Sequence, residues 1–563
     1  MKKFLSISLF YFLSCLIFAQ EALKSTEEEY YDFLSLTGAA DRPTLGYRTL
    51  SDSVWNVKDE DHLWSNNNLG TTKIIWQNST PADNWFANGL FQGVKYKIFG
   101  PEWFNSYNTA APYGQNDGAL WQGKGYNTAL TGGVRLEGYG FEITFKPMVS
   151  FSQNLAFKLM DNSSYYTNKF AYIWGYGTNI GADAPQRFGD KAFWNYDWGD
   201  YEIRWTWNSF TVGFGTESIW LGPAFLNPLL HSNNAASYPK FDIGLRKTKL
   251  VIPYFNLDLG YLEGRLWLGK LSESQYFDND KSNDHNQISG LCLYYNPSFL
   301  KGLTVGINKI CLSKWDDNQF YQYLNPLYGM KGAEHQNVAE DQKISIIADY
   351  LIPKGGIDIF MELGIDDHIN PTDYIDSYVT HFWHTLTYTF GMKKEIDIND
   401  TFKGQLLFEW NNTEMSQDFQ VQWYYNFGFH NIITQGYTNK GQWLGSGIGY
   451  GGQSQYLGFK LYYPKGSSLL FIQRYNPDNN FLFKESIYDI ATQGNNSPHN
   501  RTWNFYKGIL AIGLNSNYFV TESFDISGGI VYQRIVNPIY NQAPERYELC
   551  HNISISLALK YNF

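Results

Sequence analysis

Charge is scarce in this 563-residue chain, where Asp, Glu, Lys and Arg make up 17% of the residues. An average globular domain carries about 25%. The balance leans acidic, at a net −11. That excludes nucleic acid as a partner, because a phosphate backbone needs a basic stripe. Cysteine is scarcer still. Of the four present, Cys15 lies in the N-terminal leader, and Cys292, Cys311 and Cys550 are too few and too far apart for a disulfide framework. Long apolar runs are missing after residue 20, so no segment approaches the ~20 residues of a membrane-crossing helix. Catalytic signatures are missing as well. No GxSxG, HExxH or phosphate-cradling glycine loop stands in its required setting, and His231, Ser232 and Asp242 show no supporting spacing. Neither an enzyme nor a cofactor is expected.

Two constellations invite a metal and fall short. In HFWH, His381 and His384 lie three apart in a strand-like context, which points them to opposite faces. In DNDKSNDHNQ, Asp278, Asp280, Ser282 and Asp284 resemble the start of a calcium loop. Asn283 stands where that loop needs Gly, and Ser289 where it needs Glu. The stretch reads as a solvated acidic loop, able at most to touch divalent ions that bridge lipopolysaccharide.

What the chain has in excess is aromatic residues, 18% of the total, with 43 Tyr, 40 Phe and 19 Trp. Tyr and Trp suit membrane interfaces, where an apolar ring sits beside a wet polar tip. The aromatics fall into alternating runs. Ile553, Ile555, Leu557, Leu559, Tyr561 and Phe563 alternate with small or polar residues to the last position. Tyr139, Phe141, Ile143 and Phe145 do the same, as do Tyr201, Ile203, Trp205 and Trp207. After Asn208-Ser209 the apolar parity shifts to Phe210, Val212 and Phe214, which a two-residue hairpin turn would produce. A period of two is a strand with one apolar face. The pattern alone fits a soluble sandwich as well; the exported N-terminus and the aromatic-rich, charge-poor composition make lipid the expected cover, and the polar face then looks into a lumen.

Residues 1–20 read as a secretory signal: Lys2 and Lys3, an apolar run from Phe4 to Phe18, then Ala19-Gln20. Residues 21–69 read as a periplasmic helical segment. Its helix opens at Thr26-Glu27-Glu28-Glu29, with acidic residues complementing the dipole, and stops at Thr37-Gly38. A second short helix is expected from about Leu50 to Val57. Residues 70–563 read as a transmembrane antiparallel β-barrel, and about sixteen to twenty strands fit. The terminal strand must pair with an early one, because lipid offers edge amides no partner. An aromatic end also suits recognition by barrel-insertion machinery.

The densest polar-aromatic stretch runs from Glu217 to Leu245. Trp220-Leu221-Gly222-Pro223 is a turn with an aromatic at its lip, and His231-Ser232-Asn233-Asn234 groups several amides and hydroxyls. Such groups bond neutral polysaccharide while aromatic rings stack on sugar faces. The same residues also serve simply to build a turn and pack a wall. A glycine-dense stretch from Thr434 to Gln455 adds Tyr437, Trp443 and Tyr450.

Trp220-Leu-Gly-Pro followed by Ser232-Asn233-Asn234-Ala235 and Pro239 resembles a signature of the Wzi family of capsule-assembly outer-membrane proteins. Gly436-Tyr437, Gly441-Gln442-Trp443-Leu444-Gly445 and Gln453-Ser454 resemble that family's second, glycine-rich motif. Tyr30 to Trp55 is similar to its N-terminal helical segment. The resemblance implies a barrel of about 18 strands with a small periplasmic helical region. It also implies a lectin-like role in attaching capsular or other surface polysaccharide at the outer membrane of a diderm bacterium. Glycan-contact candidates are Trp220, Asn233, Asn234, Tyr437 and Trp443. A lumen lined by Glu202, Arg204 and their like leaves a second reading open, a porin or saccharide diffusion channel. Lipid and lipopolysaccharide are the expected surroundings in either case.

Overall fold

The computed structural model describes residues 25–58, 61–65, 77–78, 94–160, 168–171, 182–278, 280–315, 327, 340–366, 379–416, 426–430, 432–482, 506–540 and 548–561. Residues 1–20, read from sequence as a secretory signal, lie outside them. The chain forms a closed 18-stranded antiparallel β-barrel with one short N-terminal helix. Strand β1 is Lys95–Asn108 and β2 is Gly125–Gly138. β3 has two pieces, Phe141–Phe145 and Met148–Ser152, as does β4, Phe193–Asp197 and Glu202–Trp207. Then come β5 (Phe210–Gly215), β6 (Lys240–Ile252), β7 (Leu257–Lys270), β8 (Asn286–Pro297) and β9 (Leu303–Lys314). β10 (Glu340–Ile352), β11 (Ile357–Asp366), β12 (Leu386–Asp397) and β13 (Lys403–Asn412) follow. The last five are β14 (Gln453–Tyr463), β15 (Gly466–Asn476), β16 (Gly508–Thr521), β17 (Phe524–Val536) and β18 (Leu549–Tyr561).

Each strand pairs with its sequence neighbours, and β18 returns to β1 with Leu559 opposite Trp103 and Ser554 opposite Asn108. Closure leaves these strand amides partnered, as hydrocarbon requires. The alternation sorts the faces as expected. On β18, Ile553, Ile555 and Leu557 are exposed while Asn552 and Ser554 are buried. The β4–β5 hairpin turns at Asn208-Ser209, with Trp207 opposite Phe210 and Asn208 at φ 53°. Asn tolerates that left-handed conformation, which two-residue turns demand. The outward face thus presents a continuous belt of large apolar side chains, which water would not tolerate and lipid does.

The two ends differ. Short turns join β6 to β7, β8 to β9, β10 to β11 and β12 to β13, all at one end, which is periplasmic in such barrels. Helix α1 (Thr26–Thr37) packs at this end. Ser25 caps it by accepting from the Glu28 amide, and Gly38 ends it at φ 81°. Tyr30 stacks on Trp64 at 3.9 Å and Phe33 on Tyr462 of β14 at 4.4 Å. The acidic first turn does more than complement the dipole. Glu27 pairs with Lys560 of β18 at 3.1 Å, Glu29 with Lys460 of β14, and Asp32 with Lys393 of β12 at 2.6 Å. The expected second helix at Leu50–Val57 does not form. Glu217 takes the Ser51 amide and Arg246 takes the Asp52 carboxylate, while Asn56–Val57 pairs with Ala40–Asp41 as a short ladder. Partners on the barrel and the ladder outcompete local helix hydrogen bonds there.

Candidate functional site

Segments enter the lumen from both ends and leave a cavity of about 410 Å³ between α1 and the mouth loops on the β13–β18 side. After α1 the chain enters from the short-turn end, and Tyr47–Arg48 pairs with Trp220–Leu221 of the segment that follows β5. Tyr47 is fully buried against Trp267 of β7, with their ring centroids 5.7 Å apart. From the long-loop end, the segments after β5 and after β13 bring in Ile219, Leu230, Tyr238, Phe427, Tyr437, Leu444 and Tyr450. These join inward-facing Trp267, Tyr294, Ile310 and Ile347 of the wall in one apolar core. Inserted backbone needs acceptors, and wall carboxylates supply them. Glu409 of β13 accepts from the amides of Phe225, Leu226 and Asn227 at 2.9, 2.9 and 2.7 Å. Glu362 of β11 accepts from Leu229 at 3.0 Å, and Glu263 of β7 from Leu45 and Tyr47.

A charge ladder ties the entering N-terminal segment to the wall. Arg265 of β7 bridges Asp52 at 3.0 Å and Asp242 of β6 at 2.7 Å. Arg204 of β4 bridges Glu202 and Asp242 at 2.6 and 2.7 Å. Burial alone would raise the Asp52 pKa, but Arg265, Arg246 and Arg204 together hold it well below the usual carboxylate range. Burial and the neighbouring Glu202 carboxylate push Glu217 the other way, up to about 8. The residues read from sequence as porin lining, Glu202 and Arg204, are therefore buried ladder members.

At the mouth three loops are clasped through Asn234. Its Oδ1 accepts from the Asn116 amide at 3.0 Å, and its Nδ2 donates to the Trp443 carbonyl at 2.9 Å. Ser232 donates through Oγ to the Gly445 carbonyl at 2.6 Å. Gly445 has no room for a side chain, since a Cβ there would lie 2.1 Å from the Tyr450 hydroxyl oxygen and 2.4 Å from the Leu229 carbonyl. The two motifs, more than two hundred residues apart, are thus one built unit. Among the five sequence candidates, Trp220 and Tyr437 are fully buried and Asn234 nearly so. In this structure the two buried rings pack the plug: Trp220 donates through Nε1 to the Ala224 carbonyl at 2.8 Å. Asn233 and Trp443 are partly exposed at the mouth, with Trp443 set edge-on to Tyr450 at 5.3 Å and to Phe429 at 5.5 Å. Sequence reasoning missed Glu263, Glu362, Glu409 and Asn116. A lone carboxylate at an inward position of an otherwise ordinary strand was the available signal.

The catalytic and metal candidates named from sequence have other partners among the described residues. His231 faces the Ile219 carbonyl through Nδ1 at 2.9 Å and the Tyr238 hydroxyl through Nε2 at 2.7 Å. The carbonyl fixes the proton on Nδ1, so Nε2 accepts. Burial lowers its pKa to about 4, and the ring stays neutral. Ser232 and Asp242 are spent on Gly445 and on two arginines. His381 to Thr385 form a turn leading into β12 instead of the strand expected from HFWH. In the acidic loop, Asp278 and Asp280 accept from the amides two residues on, at 2.8 and 2.9 Å. Among the described residues no group of three or more His, Cys, Asp or Glu is placed to hold a metal ion. Cys292, Cys311 and Cys550 are free thiols.

No protein-family model matches the sequence, and no curated protein does. Among solved structures, the chain is similar to Wzi of Escherichia coli, an outer membrane protein involved in group 1 capsule assembly and a carbohydrate-binding β-barrel. The TM-score is 0.58 at 11% identity, covering 97% of this chain and 99% of that one. OprB of Pseudomonas putida aligns with a TM-score of 0.37 at 10% identity, over 83% of this chain and 94% of its own. At 11% identity the likeness to Wzi is one of fold.

Proposed function

We propose that this protein is a non-catalytic outer-membrane barrel that holds an exported capsular or other surface polysaccharide at its outer mouth. The observation that carries the reading is the plug of inserted segments, which leaves beside it a cavity of about 410 Å³ between α1 and the mouth loops. A diffusion porin keeps an aqueous channel, whereas here inserted segments meet wall side chains in one apolar core. The mouth instead offers amides and a partly exposed indole, the groups that bond sugar hydroxyls and stack on sugar faces. The fold shared with Wzi, itself carbohydrate-binding, supports the same reading. Of the sequence candidates, Trp443 and Asn233 would touch the polymer, with Asn234 positioning the loops that carry them. Trp220 and Tyr437 would act from within, by keeping the mouth rigid. Weak contacts repeated along a polymer give retention through avidity. The test is a binding isotherm of the purified barrel in liposomes with polysaccharide from the producing cells. Saturable binding is expected, and its absence would overturn the proposal.

A further inference from the structure

Behind the mouth the wall is irregular. β5 ends at Gly215, while β4 continues upward through Phe193–Asp197. Among the described residues no strand pairs with that upper segment on the β5 side. Inserted loops close the notch: Lys440 reaches Asp197 at 3.1 Å, and the Ser237 hydroxyl donates to the same carboxylate. Inside it lies a cavity of about 280 Å³ lined by Glu102, Asn116, Asp117, Asp197, Asp200 and Asn233. Its floor includes Ala129 and Thr131 of β2.

We propose that this cavity is a subsite for one neutral sugar residue, at a chain end or side branch of the held polymer; the proposal rests on the glycan-holding reading above. Three observations lead there. First, the Oδ1 atoms of Asn116 and Asn233 are buried without a hydrogen-bond partner. The Asn116 amide nitrogen is committed to the Leu226 carbonyl at 3.0 Å, which leaves its oxygen as the free acceptor. A buried acceptor left unmet costs roughly 1–3 kcal/mol, and sugar hydroxyls are donors of the right reach. Second, Glu102, Asp117, Asp197 and Asp200 line it with one lysine, Lys146, which is paired to Asp200 at 3.3 Å, while Lys440 from beyond the lining is paired to Asp197 at 3.1 Å. A uronate or phosphate would meet like charge. Burial raises Asp117 to about 7, so near neutral pH it also serves as a donor to a neutral sugar. Third, about 280 Å³ falls just under the roughly 300–1,000 Å³ of pockets for drug-sized ligands. A space of that size takes one sugar residue, which a chain end or side branch presents.

The experiment uses the full-length barrel in detergent. Glucose, galactose, N-acetylglucosamine and glucuronic acid are tested by saturation-transfer NMR and as competitors for polymer from the producing cells, intact and sheared by sonication. At least one neutral sugar should bind and glucuronic acid should not. Sheared polymer, with more ends per mass, should compete better than intact polymer. Ala129→Leu, which fills the floor, should weaken monosaccharide binding at least tenfold; Asn116→Ala removes an acceptor by a separate route. If intact and sheared polymer bind wild type and both variants alike, and no neutral sugar competes, the subsite falls while polymer holding stands. Neutral-sugar binding without polymer binding would uphold the subsite and overturn the polymer reading. Equal binding of glucuronic acid would overturn the assigned ligand class.

Discussion

Glu409→Ala tests the plug at its tightest clasp. The wild-type carboxylate accepts from three backbone amides at 2.7 to 2.9 Å and from the Asn227 side chain at 3.0 Å. Truncation orphans all four donors. Each costs about 1–3 kcal/mol when buried and unmet. Water entering the vacated space recovers part of that, and the desolvation cost of the buried carboxylate is also removed. A net loss of about 3–5 kcal/mol remains, in line with breaking one partner of a buried polar cluster. At about 1.4 kcal/mol per tenfold, the equilibrium between seated and released loop moves by two to four orders of magnitude. Single-channel recording in planar bilayers reads this directly. Wild type should stay closed; the variant should show frequent opening events and a lower unfolding midpoint. Glu409→Gln, whose carbonyl still accepts, should fall between. A closed variant with wild-type stability would refute the role given to this carboxylate.

Trp220→Ala should cost about 3–5 kcal/mol of stability, as for other buried Trp truncations, measured by urea unfolding in liposomes; Trp443→Ala should cost less yet lose more polymer in the same isotherm. Asn234→Ala should weaken polymer binding by loosening the clasp of three loops, with the barrel's strand content unchanged by circular dichroism. Burial opposes ionisation of Asp32, but Lys393 and Arg42 outweigh it and depress its pKa below the unfolded value of about 3.9. Its contribution to α1 docking is therefore present above about pH 4 and lost as the pH falls below that. Hydrogen exchange in α1 should accelerate on that descent, whereas Asp32→Asn should exchange faster already at neutral pH and lose the acid-dependent rise. Ile555→Lys, outward at the middle of β18, should cost about 2–4 kcal/mol in a bilayer and little in a soluble layer.

The wall was legible because a period of two names both faces without reference to anything distant. The turn at Asn208-Ser209 and the cap at Gly38 were legible for the same local reason. What alternation does not say is what the inward face meets. Arg204 reads equally as a channel lining and as a partner of Asp242, and closure of the sheet decides between them. Trp220 and Tyr437 read as aromatics at a lip, yet both are buried, since the Trp220 loop folds inward onto Glu362 and Glu409 of distant strands and the Tyr437 loop is bonded to that loop. The acidic turn Glu27–Glu29 looked like a dipole complement. Its lysines lie on strands more than four hundred residues away, beyond the reach of any local rule.

The central claim is that this barrel keeps surface polysaccharide on the cell. Its most direct test is the partition of polymer between cell pellet and medium in a strain lacking the gene, with total synthesis measured alongside. Synthesis should be unchanged and the polymer shifted into the medium, a shift reversed by the wild-type gene and not by one carrying Trp443→Ala and Asn234→Ala together. Polymer that stays on the deletion cells in the wild-type proportion would contradict it.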